Sequence, residues 1–137
     1  MTKNPDKWIR KGVLTALGTT YPLYDTRVTG ATVPKNYIIL STQTKVDSVF
    51  NKCHGQWDCT ILLDLVTRFK GTGNPGDRVT VNDMEDLVIS NMQSLSVQGF
   101  QLFRMQLESS TSLDNITDTE NVFRQLIRYR LLLNEVD

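Results

Sequence analysis

The sequence predicts an α+β domain, an antiparallel sheet of about five strands with two helices packed on one face. Three observations carry this reading. Two segments repeat apolar residues at helical spacing, and five others are short apolar or alternating runs typical of strands. The links between successive strands are mostly short and polar, which implies antiparallel pairing and helices gathered on one side of the sheet.

Asn4-Pro5 opens the first helix, with Asn4 as cap and proline where a missing N–H costs nothing. Trp8, Ile9, Gly12, Val13, Ala16 and Leu17 then form one apolar stripe, and Gly18 ends the helix. Residues 21–29 read as a short strand, 30–35 as a turn around Gly30 and Pro34, and 36–42 as a central strand carrying Tyr37, Ile38, Ile39 and Leu40. Residues 44–56 are polar and read as a loop or a long ragged hairpin.

Residues 57–69 are the clearest strand, with Cys59, Ile61, Leu63, Leu65 and Phe69 on one face. The segment KGTGNPGD at 70–77 is a loop by its glycines and proline. Thr80 is expected to cap the second helix, whose stripe is Val81, Met84, Leu87, Val88, Met92 and Leu95. Residues 101–109 and 122–133 alternate and form the last hairpin, and the polar, acidic stretch 110–121 reads as the loop between them.

At 137 residues, 39% hydrophobic and 22% charged, the chain fits a single domain spanning 1–137 with an adequate core. No apolar run approaches the roughly 20 residues of a membrane span, and the first ten residues lack the apolar stretch of a signal peptide, so no membrane association is expected. Fifteen basic residues balance fifteen acidic ones, which argues against a wholly basic nucleic-acid-binding surface. Two cysteines are too few for a disulfide framework.

Little in the sequence points to catalysis. Cys53, His54 and Cys59 could supply three metal ligands, but no second pair completes a structural zinc site. His54 is the sole imidazole, and no nucleophile elbow surrounds any serine. Asp83, Glu85 and Asp86 fall on the first turn and polar face of a helix, where they complement its dipole. KGTGNPGD lacks the Gly-Lys-Ser/Thr ending of a phosphate loop. No cofactor is expected.

Four segments in order carry a resemblance: KWIRKGVLTAL, then PLYDTRVTGATVPKNYIILS, then TILLDLVTRFKGTGNPGDRVTVNDMEDLVISNM, then FQLFRMQLESSTSLDNITDTENVFRQLIRYRLLL. This order is similar to that of the tail-completion and tail-terminator proteins of tailed bacteriophages. The chain departs from the family's pattern in a longer 44–56 segment and in Phe69, where tryptophan is common.

The resemblance implies a non-enzymatic virion protein, made in the host cytoplasm. It implies a homo-oligomeric ring, six-fold by preference and twelve-fold on a portal-like assembly, at the head-to-tail junction. Other neck, portal or tail-tube proteins would be its partners, and genome DNA would pass through the lumen without sequence-specific binding. The alternative is a free cytoplasmic adaptor module of the same fold. A nuclease with a cryptic carboxylate site is disfavoured by the lack of clustered Asp, Glu and His on strand ends.

The last hairpin places Phe103, Met105 and Leu107 on one face with Phe123, Ile127, Tyr129 and Leu131. The opposite face then carries Arg104, Arg124, Arg128 and Arg130 against one acid, Glu108, expected to pair with Arg124. This basic strip is either a solvated sheet face, with Glu108 paired to Arg124, or an interface. As an interface it would face Asp114, Asp118 and Glu120 of a neighbouring protomer, favoured over DNA in the lumen because tight binding there would hinder passage.

Overall fold

The computed structural model describes residues 4–18, 20–25, 34–48, 56–70, 76–116 and 119–136. In chain order these form α1 (Asp6–Leu17), β1 (Leu23–Asp25), β2 (Asn36–Ser48), β3 (Gln56–Lys70), α2 (Val79–Met92), β4 (Phe100–Ile116) and β5 (Glu120–Glu135). The strands make one five-stranded sheet in the order β1-β2-β3-β5-β4. Pairing is antiparallel except between β1 and β2, which run parallel with Leu23 beside Ile38. The antiparallel hairpin expected of these two strands is therefore not formed; the turn expected at 30–35 falls mostly outside the described residues.

The odd-numbered residues of β3 and β5 define the inner face. Cys59, Ile61, Leu63 and Leu65 lie directly opposite Leu131, Tyr129, Ile127 and Gln125, and all are buried. Ile9, Val13 and Leu17 of α1 and Val81, Met84, Val88 and Met92 of α2 close over them in one core. Both helices therefore lie on one face, as the two stripes require. Trp8 and Trp57 pack at the margin of this core.

Several element ends differ from the sequence reading. Pro5 rather than Asn4 holds the cap position of α1, its carbonyl accepting the Ile9 N–H, while Asn4 Oδ1 accepts the Asp6 N–H at 3.1 Å from just outside the helix. Helix α2 starts at Val79 rather than after Thr80, with Arg78 at the cap position and the Asp77 carboxylate accepting the Val79 N–H at 3.0 Å. Of the polar segment 44–56, residues 44–48 and 56 are strand, with Ser48 paired to Gln56 as the hairpin alternative expects; residues 49–55 lie outside the described residues. Residues 110–116 and 120–121 are ladder rather than loop, with Ser110 against Ile127 and Ile116 against Asn121. Partner strand β5 makes it a strand although its own composition does not. Phe103 sits at a bulge between Leu102 and Arg104 and is half-exposed, while Met105 packs on the core.

Gly12 fixes the approach of α1 to the segment after α2. A Cβ there would sit 2.4 Å from the Ser96 carbonyl oxygen and 3.2 Å from Leu95 Cδ1. Helix propensity alone favours alanine by about 1 kcal/mol. Overpacking against a backbone oxygen costs about 1–3 kcal/mol, towards the upper end here because the oxygen cannot rotate away. Gly12→Ala is therefore expected to lower stability by about 1–2 kcal/mol in urea unfolding. A raised midpoint would show that the two segments part freely.

Candidate interface on the outer sheet face

The even-numbered residues of β3 and β5 point away from the helices. In β5 these are Arg124, Leu126, Arg128, Arg130 and Leu132, so three of the four arginines expected on one strip share this face. Arg104 joins them from β4, opposite Leu132.

The strip is not a bare row of cations. β3 contributes Asp58 and Asp64 to the same face, and each takes an arginine of β5 on the diagonal. Arg130 donates to Asp58 through Nε at 2.9 Å and Nη2 at 2.5 Å. Arg124 donates to Asp64 through Nε at 3.2 Å and also through Nη2. A third diagonal joins Arg68 of β3 to Glu120 of β5, with Nη2 to Oε2 at 2.7 Å. Three forked pairs of the same hand thus stitch β3 to β5 across the middle of the sheet.

Their environments differ. Asp64 is 3% exposed and Val66, opposite Arg124, is 2% exposed, so the carboxylate sits in a desolvated patch while the Arg124 side chain stays 35% exposed. The hydrogen bond from Arg124 to Asp64 raises the guanidinium's pKa above its ordinary value, against the opposing effect of burial. Tyr37 of β2, opposite Val66, has its phenol pushed up by burial, with the Arg68 and Arg124 charges pulling it down and those of Asp64 and Glu120 adding to the rise. The Asp58–Arg130 pair is wetter chiefly at its acid, Asp58 being 30% exposed against 5% for the Asp64 side chain. The hydrogen bond from Arg130 holds the Asp58 carboxyl below its usual value.

The remaining expected interface residues also have places. Asp114 pairs with Arg78 at the start of α2, so it and Glu120 both find basic partners within the chain. Arg124 goes to Asp64, not to Glu108. Arg104 and Arg128 form no ion pair with a described residue, and the Glu108 charge acts on Arg130, so the positive excess of the strip is small. Asp118, Cys53 and His54 lie outside the described residues.

Chemically this face offers apolar area interrupted by fixed charge pairs. Leu62, Leu126 and Leu132 are half-buried beside the arginines. Among the described residues no group of three or more His, Cys, Asp or Glu could hold a metal ion. Cys59 lies on the inner face, and burial pushes its thiol up to about 12, so it is no nucleophile at neutral pH. Among the described residues, no helix is long and apolar enough to cross a membrane.

No family model matches the chain, and no curated protein matches it. Among solved structures it is similar to a chain of the virion of a native gene transfer agent particle, with a TM-score of 0.58 at 14% identity. The likeness covers 92% of this chain and 90% of that one. At this identity the likeness is one of fold.

Proposed function

We propose that this chain is a non-enzymatic structural protein of a phage-like particle, forming a ring at the head-to-tail junction as a tail terminator or tail-completion protein. The observation that carries the reading is the fold likeness to a gene transfer agent virion chain over nearly the full length of both chains. Agreement over 92% of one chain and 90% of the other joins whole domains rather than a shared hairpin. The order of segments in the sequence supports the same assignment independently. The ring is six-fold, or twelve-fold where it docks directly on a portal-like assembly. Its neighbours are neck, portal or tail-tube proteins, and DNA passes through its lumen without sequence-specific contacts. The outer sheet face, with Arg104 and Arg128 in no ion pair among the described residues, is the surface turned towards a neighbouring protein.

Deleting the gene in the producing strain tests this. Filled heads and separate tails are expected, with joined particles lost and restored by expression in trans. Cryo-EM of complemented particles should show a ring of this chain between head and tail. Normal particles from the deletion strain, or purified particles lacking the chain, would overturn the proposal.

A further inference from the structure

One side of the sheet ends in β4, and every residue of its 109–116 stretch is exposed. On its β5 side this stretch is regularly paired, from Ser109 against Arg128 to Ile116 against Asn121. Alternate N–H and C=O groups on its other side are therefore left to solvent. Bulges kink the strand at 102–104 and 107–109, yet the pairing beyond Ser109 runs without interruption. Exposed edges are usually blunted by lysine, proline or shortness. This edge is 17 residues long, has neither lysine nor proline, and exposes Leu113 at 46% and Ile116 at 70%.

The opposite margin of the sheet is open in a complementary way. β1 covers only Ile38–Leu40 of β2, so the 41–48 stretch is paired with β3 on one side and, among the described residues, has no strand on the other; Val46 is 65% exposed there, and Lys45 is tied to Asp6 of α1. Polarity then decides what fits. From β2 to β4 the sheet takes three antiparallel steps, through β3 and β5, so β2 and its parallel neighbour β1 run opposite to β4. A second copy rotated about an axis along the strands would present its β1–β2 edge antiparallel to β4. The helix faces of both copies would stay on the same side. Repeating that contact is a head-to-tail operation, which closes into a ring.

We infer that the 109–116 edge of β4 pairs with the β1–β2 edge of a second copy of this chain, joining the sheets of successive protomers into one continuous band. This rests on the ring reading and names the surface that would build it.

The test uses the full purified chain and the Leu113→Lys/Ile116→Lys variant. Both side chains are exposed, so the variant should keep the wild-type melting temperature while placing charge on the edge. Sedimentation velocity over a concentration series should show the wild type assembling and the variant losing the oligomer. Hydrogen exchange should show slowed amides at 109–116 in the wild-type oligomer and fast ones in the variant. An oligomer that persists in the variant, or forms with fast exchange at 109–116, would overturn the edge pairing and leave the ring reading intact. A wild type that stays monomeric with fast exchange at 109–116 would do the same. A two-fold dimer protected at 109–116 would mean that β4 pairs with itself, overturning the head-to-tail contact and the ring together.

Discussion

Replacing Arg124 with methionine is expected to lower the unfolding free energy by about 3–5 kcal/mol, the cost of stripping a buried charge of its partner. Asp64 is 3% exposed and receives both forks of the guanidinium. Methionine keeps the aliphatic cover and removes the donors, so the carboxylate is left desolvated and unpaired. The same change at Arg130 should cost far less, because that pair is screened by water and its geometry is held against side-chain entropy. The two variants share chemistry, strand and ladder and differ in burial alone. Adding Asp64→Leu to Arg124→Met should recover most of the loss, since a buried pair replaced by apolar groups is often neutral. Urea unfolding of the four proteins measures this. Equal losses at Arg124 and Arg130 would show that the patch around Asp64 is wetter than its burial implies.

The contrast also explains which parts of the molecule the sequence makes legible. Both helices and the alternation in β3 and β5 follow from local period, because burial on one face of a regular element repeats every few residues. The end of β4 does not follow. Ser109, Ser110, Thr111, Ser112, Asp114 and Asn115 have the composition of a loop, and a ladder with β5 overrides it. Side-chain bonds within this region reinforce the ladder: Ser112 Oγ donates to Gln125 Oε1 at 3.0 Å, and Gln125 Nε2 to Ser110 Oγ at 2.6 Å.

The basic strip is a mixed case. Its residues are visible in the hairpin alone, but its acids stand 60 and 72 positions away, on a strand that neighbours β5 without being its hairpin partner. The two signals available were the even parity of Asp58 and Asp64 on β3 and the even parity of the β5 arginines. Combining them requires knowing that β3 lies beside β5, which local pattern does not supply. A positive excess counted on one hairpin therefore overstated the charge that this face presents.

Adjacent residues on β3 separate the core from the outer face. Leu63 is fully buried, directly opposite the fully buried Ile127, and both belong to the cluster that includes Met84 and Val88 of α2. Leu63→Ala should cost about 2–5 kcal/mol, combining lost transfer energy with a cavity that sheet and helix cannot close by local adjustment. Leu62 points the other way, opposite Arg128, and is half-buried. Leu62→Ala leaves no enclosed void and gives up only part of the side chain's burial, so its loss in the isolated chain should be clearly smaller. Denaturant unfolding with an unchanged m-value reads both. Comparable losses at the two positions would mean that the outer face is covered as fully as the inner one, and so is no surface for a partner.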